Sequence, residues 1–290
     1  MTLDDECRVC LYNSQLKKVE REQTDKEKLN IFKTECKKLC ESAPEFTCAP
    51  LLMREINLLH RRVFGCGIDY SREKTLFNGK LLKLESELFA KVKKAENPLY
   101  CALTFSAASN YIDFARLSDL DEGAIEYVLN SAQRAELDKD AFLKFESELE
   151  KAKTLLFLHD NCGEIVLDKI LIRIIKELYP KITVSSVVRG SDIINDATIS
   201  DAIAVGLCDL TYVYPNGTNV PGTPLDEISP KIKAFLSDSD VIISKGLGNF
   251  ETLYGEGYGA YYVFACKCRH IADRFNLPVW ACALVKDEKI

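Results

Sequence analysis

The pattern of apolar positions changes at about residue 150. Before that point, apolar residues recur at helical spacing among lysines and glutamates. The segments with this pattern are "SQLKKVEREQTDKEKLNIFKTECKKLCES", "APLLMREINLLHRRVFG", "REKTLFNGKLLKLESELFAKVKKAENP", "DEGAIEYVLNSAQ" and "DKDAFLKFESELEKAK". We therefore predict a helical N-terminal subdomain over residues 1–150.

After residue 153, short apolar segments rich in β-branched residues alternate with helical patterns. The predicted strands lie in "TLLFLHD", "KITVSSVVRG", "LTYVYPNG", "DVIISKG", "YYVFAC" and "VWACALV". The predicted helices lie in "IVLDKILIRIIKEL", "NDATISDAIAVGL" and "RHIADRFNL". Strands that alternate with helices form a mainly parallel sheet covered on both faces. We therefore predict a doubly wound α/β domain over residues 151–290.

Composition narrows the class of protein. The chain has 290 residues, 47% of them hydrophobic, and a net charge of −6, which gives no reason to expect a nucleic-acid partner. No apolar run approaches the roughly 18–20 residues that span a bilayer. The N-terminal "MTLDDECRVC" has no apolar signal region. We expect a cytoplasmic protein without a membrane partner, whose 12 cysteines are reduced thiols.

Polar side chains stand where several predicted strands end. Asp160 and Asn161 follow the first strand, Arg189 ends the second with Asp196 shortly after it, and Lys245 ends a later strand. The carboxyl ends of parallel strands lie at one edge of a sheet, and ligands of α/β proteins bind there. We therefore expect these residues to share one cleft.

Asp160, Asn161 and Asp196 predict a site for a hard divalent cation. Carboxylate and amide oxygens suit Mg²⁺ or Mn²⁺, with the remaining positions left to water or substrate. The alternative is that each residue caps the helix that follows it, because Asp and Asn are favoured N-caps. Lys245 adds positive charge at this edge, and glycines after the strands would let the backbone approach a phosphate.

Four segments resemble the motifs of the damage-control phosphatase family, formerly domain of unknown function 89. They are "SNYIDFA", "HDNCGEIVLDKILI", "VVRGSDIINDATISDA" and "ISKGLGNFETL", in this order along the chain. The segments "CRVC" and "GIDYSREKTLFN" are similar to the stand-alone prokaryotic branch of that family. The resemblance covers nearly the whole chain.

The resemblance implies a helical subdomain beside a Rossmann-like, three-layer α/β/α core. It also implies a metal-dependent phosphatase that hydrolyses phosphate esters of small phosphorylated metabolites, such as sugar phosphates. The cofactor would be Mn²⁺, Co²⁺, Ni²⁺ or Mg²⁺, with Asp160, Asn161 and Asp196 as its ligands. We expect Asp160 and Lys245 to be catalytic, and the sequence leaves open whether Asp160 is a nucleophile, a base or only a ligand.

The resemblance also implies residues that bind substrate. Glu164 would face the non-phosphate part, and Lys245 and Asn249 would hold phosphate or sugar. Asn110 and Asp113 would reach the cleft from residues 100–116 of the helical subdomain. Arg189, at the end of the second strand, is a further substrate-binding candidate. The chain departs from the family pattern at three positions: Ser109 and Ala115 stand in place of glycine, and Cys162 stands in place of alanine.

Two other functions fit a Rossmann-like sheet. One is an adenosylmethionine-dependent small-molecule or carboxyl methyltransferase, against which the missing glycine-rich first loop counts. The other is a non-catalytic metabolite-binding protein, against which the complete set of polar strand ends counts.

Two local features have two interpretations each. The first is a cysteine set that could form a zinc site or pack in the interior. Its members are Cys7, Cys10, Cys36, Cys40 and Cys48. The second is His159, which could support the metal ligands from behind or be a packed histidine.

Overall fold

Helices precede the sheet, as the apolar spacing predicts. The computed structural model describes residues 2–44, 47–111 and 130–289. The helices before the sheet are α1 Asp5–Glu22, α2 Lys26–Ser42, α3 Ala49–Phe64, α4 Ser71–Lys93, α5 Pro98–Ser109 and α6 Lys139–Lys151. Residues 130–134 are also helical, and the rest of the helix predicted from "DEGAIEYVLNSAQ" lies outside the described residues.

Local signals explain where these helices begin and end. The continuous apolar pattern of the first segment is divided between α1 and α2 because Asp25 caps α2, accepting hydrogen bonds from the backbone N–H groups of Glu27 and Lys28. Gly65 ends α3 in the left-handed region, with φ 81°. Asn97 caps α5 ahead of Pro98, the first residue of that helix.

The second part alternates strands with helices. Its elements are β1 Thr154–Leu158, α7 Glu164–Leu178, β2 Thr183–Val188, α8 Ile199–Ala204, β3 Tyr212–Pro215, α9 Pro230–Asp238, β4 Val241–Lys245, α10 Gly246–Leu253, β5 Tyr261–Ala265, α11 Arg269–Phe275 and β6 Cys282–Lys286. The sequence reasoning predicts neither α9 nor α10. The glycines at 246 and 248 give α10 the composition of a loop.

The sheet has the predicted mainly parallel arrangement. Its strand order is β3-β2-β1-β4-β5-β6. The first five strands are parallel, and β6 is antiparallel to β5 at the edge. The chain order reverses at β1, which pairs with β2 on one side and β4 on the other. A crevice outside the carboxyl ends of such strands is where α/β proteins bind ligands.

Both faces of the sheet are covered, so the core has three layers. Phe157 and Ile243 point to the face that packs against α4, α5 and α7. Leu158 and Ile242 point to the opposite face, which packs against α9, α10 and α11. This is the Rossmann-like α/β/α fold that the resemblance implies.

The N-terminal helices belong to two groups. Helices α1, α2 and α3 enclose a hydrophobic cluster of their own, which includes Val19, Phe32 and Ile56. Helices α4 and α5 instead share the core of the sheet. Division of the chain into domains 1–150 and 151–290 stays a prediction. Among the described helices, none combines the length and the apolar character needed to cross a membrane.

Candidate active site at the carboxyl edge of the sheet

The backbone brings the first two polar strand ends together. Asn161 and Asp196 form an isolated antiparallel bridge, and Ala197 donates its N–H to the carbonyl oxygen of Asp160 at 2.8 Å. Gly163 turns the chain into α7 with φ 80°. Its N–H donates to Oδ1 of Asn78 at 2.6 Å, so helix α4 fixes this loop.

The capping alternative for the three candidate metal ligands is wrong. Gly163 occupies the N-cap position of α7. Thr198 occupies that of α8 and forms a capping box with Asp201. The side chains of Asp160, Asn161 and Asp196 are thus free of helix capping and take part in the contacts described next.

Asp160 lies at the centre of the site and is only 8% exposed. Its Oδ2 accepts hydrogen bonds from the amide nitrogens of Asn161 at 2.9 Å and Asn110 at 3.2 Å. The same two nitrogens donate to Oε1 of Glu164, at 2.7 and 2.8 Å. Asn110 also accepts the N–H of Ala265 at 3.1 Å, so its amide is held in one orientation.

Arg189 bridges the two aspartates. Its Nε donates to Oδ2 of Asp196 at 2.5 Å, and its Nη2 lies 3.3 Å from Oδ1 of Asp160. Its Nη1 donates to Oδ1 of Asn249 at 3.1 Å. The amide nitrogen of Asn249 in turn donates to the carbonyl oxygens of His159 at 3.1 Å and Lys245 at 2.8 Å.

Lys245 is fully buried beneath this cluster. Its Nζ donates to the carbonyl oxygen of Ser106 at 2.5 Å and lies 3.1 Å from Oε2 of Glu164 and 3.2 Å from Oδ1 of Asp168. Burial alone would lower the pKa of Lys245, but Asp168 and Glu164 outweigh it and raise that pKa above its ordinary value. The side chain is therefore a fixed positive charge.

The acids of the site repel one another. Burial raises the pKa of Asp160 well above its ordinary value, and the charges of Glu164 and Asp196 add to the rise. Burial raises the pKa of Asp196 to about 6, although Arg189 acts in the opposite direction. The cluster thus holds more negative charge than its own basic side chains compensate.

A charge count puts this excess at two. Six buried charged side chains are joined by these contacts: the acids Asp160, Glu164, Asp168 and Asp196, and the bases Arg189 and Lys245. With every acid ionised the cluster carries two uncompensated negative charges, which one divalent cation would neutralise. Two carboxylates and an amide are also oxygen donors of the type that Mg²⁺ and Mn²⁺ bind.

The first residue of α10 shows how closely the backbone approaches Asp160. Gly246 has φ 77°, and a Cβ atom there would lie 1.9 Å from Oδ2 of Asp160. Only glycine allows β4 to pass into α10 at this point while the carboxylate keeps its place.

Asp168 and Ser106 belong to the site although the sequence analysis assigns a role to neither, and Asp168 lies inside the quoted segment "HDNCGEIVLDKILI". Asp168 accepts the hydroxyl hydrogen bond of Ser106 at 2.7 Å, and its Oδ2 lies 3.0 Å from Nδ1 of His159. The available signal is the spacing of Glu164 and Asp168, two acids four residues apart in an apolar helix. His159 is fully buried and contacts both Asp168 and Ser186.

The structure brings most of the predicted site residues into one network. Its members are Asn110, Asp160, Asn161, Glu164, Arg189, Asp196, Lys245 and Asn249. Asp113, the remaining candidate, lies outside the described residues. The assigned roles of these residues stay predictions.

No cysteine side chain takes part in the hydrogen bonds of this network described above. All 12 are free thiols. Within the described ranges, no group of three or more His, Cys, Asp or Glu side chains is arranged to hold a metal ion. The candidate ligands of the divalent cation do not form such a group, because only Asp160 and Asp196 are of these residue types and the third ligand is the amide of Asn161.

A cavity of about 410 Å³ borders the site. Helix α3, the start of α4 and residues 192–194 contribute to its wall. Ile194 has φ 47°, an uncommon conformation for a β-branched residue, two positions before Asp196. None of the eight network residues lines this cavity, whose wall comes nearest to them along the chain at Ile194.

Comparison with known proteins gives a consistent result. Residues 3–280 match the damage-control phosphatase ARMT1-like domain. A protein of Methanocaldococcus jannaschii named as uncharacterized is 32% identical over 185 residues, which cover 62% of this chain and 60% of that protein. A damage-control phosphatase of Pyrococcus horikoshii is 31% identical over 71% of this chain and 73% of its own length.

Two further matches cover more of the chain. A damage-control phosphatase of Archaeoglobus fulgidus is 27% identical over 82% of this chain and 83% of its own length. The crystal structure of a DUF89 family protein from Pyrococcus horikoshii matches the fold with a TM-score of 0.82 and 25% identity, covering 99% of this chain and 100% of that one.

Proposed function

The chain belongs to the damage-control phosphatase ARMT1-like family, and on that premise we propose that it is a metal-dependent phosphatase of small phosphorylated metabolites. The observation that carries the proposal is the buried cluster at the carboxyl edge of the sheet, in which four acids share two basic side chains. The names of the relatives support a phosphatase role.

Asp160, Asn161 and Asp196 would hold a divalent cation. The amide nitrogen of Asn161 donates hydrogen bonds to Asp160 and Glu164, so the amide oxygen of Asn161 would serve as the neutral ligand. A bound cation supplies Lewis acidity toward a phosphoryl oxygen and lowers the pKa of water. Arg189 contacts both aspartates and would hold their carboxylates in place.

Lys245 would stabilise the negative charge that develops on the phosphoryl group. Its charge is close enough to Asp160 to oppose the rise in that residue's pKa. A preorganised charge in a site that excludes water stabilises a transition state more than it would in solution. Asn249, which is fully buried between Arg189 and the end of β4, would keep this edge rigid.

The cavity beside residues 192–194 is our candidate for the non-phosphate part of the substrate. Its wall has both charges, with Arg54, Arg61 and Lys74 opposite Asp69, Asp192 and Asp201. Lys74 is paired with Asp192 at 2.9 Å and Asp201 at 2.7 Å. A balanced polar wall suits a hydroxyl-rich group such as a sugar better than a second anionic group.

A phosphate-release screen tests the proposal. Purified protein is stripped of metal by exhaustive chelation and assayed against a panel of phosphorylated metabolites with Mg²⁺, Mn²⁺, Co²⁺ and Ni²⁺ in turn. We expect the protein to release phosphate from at least one compound, and only when metal is added. Circular dichroism should show that the chelated protein remains folded. Release that survives verified metal removal would exclude the metal role.

The screen also separates the alternative functions. A protein that releases phosphate from no compound but is stabilised against heat by adenosylmethionine would be a methyltransferase candidate. A protein that is stabilised by a metabolite without turning it over would be a binding protein.

A further inference from the structure

Asp168 is a buried acid with no part in the chemistry proposed above. It lies one helical turn after Glu164 on α7, so both carboxylates lie on the same helix face. One oxygen accepts the hydroxyl of Ser106 at 2.7 Å and lies 3.2 Å from Nζ of Lys245. The other lies 3.0 Å from Nδ1 of His159. Asp168 thereby joins three separate segments beneath the site.

The ammonium group of Lys245 depends on this acid for its place. At 0% exposure it needs anionic or carbonyl partners for its three protons. Its nearest partners are the carbonyl oxygen of Ser106, Glu164 and Asp168, and the hydroxyl of Ser109 lies farther away at 3.4 Å. Without the Asp168 charge, Glu164 would be the remaining anionic partner in contact with Lys245. The ammonium would then shift toward it.

The ring of His159 is held by the same acid. A carboxylate only accepts hydrogen bonds, so Nδ1 of the ring carries a proton, and Nε2 lies 3.1 Å from the hydroxyl of Ser186. His159 directly precedes Asp160, and its carbonyl oxygen accepts the amide of Asn249. A fixed ring therefore fixes the backbone on which Asp160 stands.

We infer that Asp168 is a positioning residue that holds the Lys245 ammonium against Glu164 and fixes the His159 ring behind Asp160. Burial would raise the pKa of Asp168, but Lys245 and His159 outweigh it and hold that pKa below its ordinary value, consistent with a permanent charge. The kinetic consequence of the inference rests on the proposed phosphatase function, and its structural consequence does not.

Asp168→Asn is the test variant, because it keeps the shape of the side chain and removes the charge. We expect kcat to fall roughly 10- to 100-fold with KM nearly unchanged, the range typical of groups that orient active-site residues. The matched control is Glu85→Gln, which removes an acid paired with Lys169 of the same helix at 2.7 Å. The control should keep the kcat of the wild type.

A double-mutant cycle separates positioning from general stability. If Asp168 acts through Lys245, then Asp168→Asn should cost little further kcat in a Lys245→Met background. Equal fold losses in the two backgrounds would overturn the inference. Should Asp168→Asn fail to fold, Ser106→Ala replaces it in the cycle. Ser106→Ala removes one hydrogen-bond donor to the Asp168 oxygen that also contacts Lys245. We therefore expect its loss of kcat to be smaller, and again to be reduced in the Lys245→Met background.

A second readout needs no activity. The chain has only three histidines, so ¹⁵N-histidine NMR spectra are simple to assign. We expect an exchange-protected Nδ1–H proton on His159 in the wild type and its loss in Asp168→Asn. A wild type that releases no phosphate would defeat the proposed function, while this signal would still test the positioning. A His159 ring without a proton on Nδ1 in the wild type, or an unchanged signal in the variant, would overturn the inference.

Discussion

Replacing Gly246 by alanine should damage the candidate metal site as well as the fold. Gly246 has φ 77°, and an added Cβ would lie 1.9 Å from Oδ2 and 2.4 Å from Cγ of Asp160. Both distances are far below any real contact. The carboxylate would have to move, and it would leave the amides of Asn110 and Asn161 to which it is bonded.

Gly255 provides a matched control for this substitution. It has φ 87°, and a Cβ there would meet no atom within 4 Å. Both alanine variants carry the cost of a left-handed conformation, on the order of 1–2 kcal/mol in the free energy of unfolding. Only Gly246→Ala also loses hydrogen bonds to a carboxyl group, which adds about 1.5–3 kcal/mol if that group is charged.

The assay combines urea unfolding in chelator with calorimetric titration of Mn²⁺. We expect Gly255→Ala to bind Mn²⁺ like the wild type. For Gly246→Ala we expect affinity to fall at least roughly 10- to 100-fold, the range seen when groups around a metal site are disturbed. Equal Mn²⁺ affinity in the two variants would refute the placement of Asp160 as a ligand.

Four further outcomes follow from the site. Folding raises the pKa values of Asp160 and Asp196, that of Asp196 to about 6. Both side chains therefore bind protons more tightly in the folded protein than in the unfolded chain. The free energy of unfolding of the metal-free protein, measured with urea, should therefore fall as the pH rises from about 4 to above 6. Over the same pH range, calorimetry should show that Mn²⁺ binds more tightly. Asp196→Ala should lose turnover that excess metal partly restores. Lys245→Met should lose about 10²–10³ in kcat without rescue, and a rescued Lys245→Met would contradict the assigned role. Asn78→Ala removes the acceptor for the N–H of Gly163 and should weaken Mn²⁺ binding in calorimetry. Its free energy of unfolding should fall by only about 1 kcal/mol. Unchanged Mn²⁺ binding would show that this loop needs no support from α4.

The sheet and its polar edge were predictable because their signals are local. A buried strand such as Thr154–Leu158 is an apolar run, and the polar pair that follows it is visible in the sequence. Parallel pairing then places the ends of β1, β2 and β4 side by side. The choice between capping and a ligand site was not predictable, because Asp and Asn serve both. Gly163 and Thr198 exclude capping by occupying the cap positions, and the ligand role stays a prediction.

The contacts behind the site depend on the fold rather than on local sequence. Ser106 and Asp168 are 62 residues apart, and no periodicity relates them. Asn78 and Gly163 are 85 residues apart, so the support that α4 gives to the loop between β1 and α7 is equally hidden. Helix α10 escaped prediction because its first residue is a glycine with positive φ, which is a turn signal in the sequence.

The role of Lys245 changes once its surroundings are known. In the sequence it is a cation at a strand end, and its removal would cost the fold little. In the structure it is fully buried between Glu164 and Asp168. Truncation to alanine would leave two buried carboxylates without this partner, at a cost of about 3–5 kcal/mol. Methionine leaves the two carboxylates equally unpaired but keeps the volume of the side chain, so the kinetic test uses Lys245→Met to avoid adding a cavity to this cost.

The central claim is that the edge formed by Asp160, Asn161 and Asp196 binds the catalytic cation. The most direct measurement is anomalous diffraction from crystals of the wild-type protein soaked in Mn²⁺. We predict one strong manganese peak within bonding distance of a carboxylate oxygen of Asp160, the amide oxygen of Asn161 and a carboxylate oxygen of Asp196. A manganese peak elsewhere in the chain, with none at this edge in crystals of protein that releases phosphate, would contradict it.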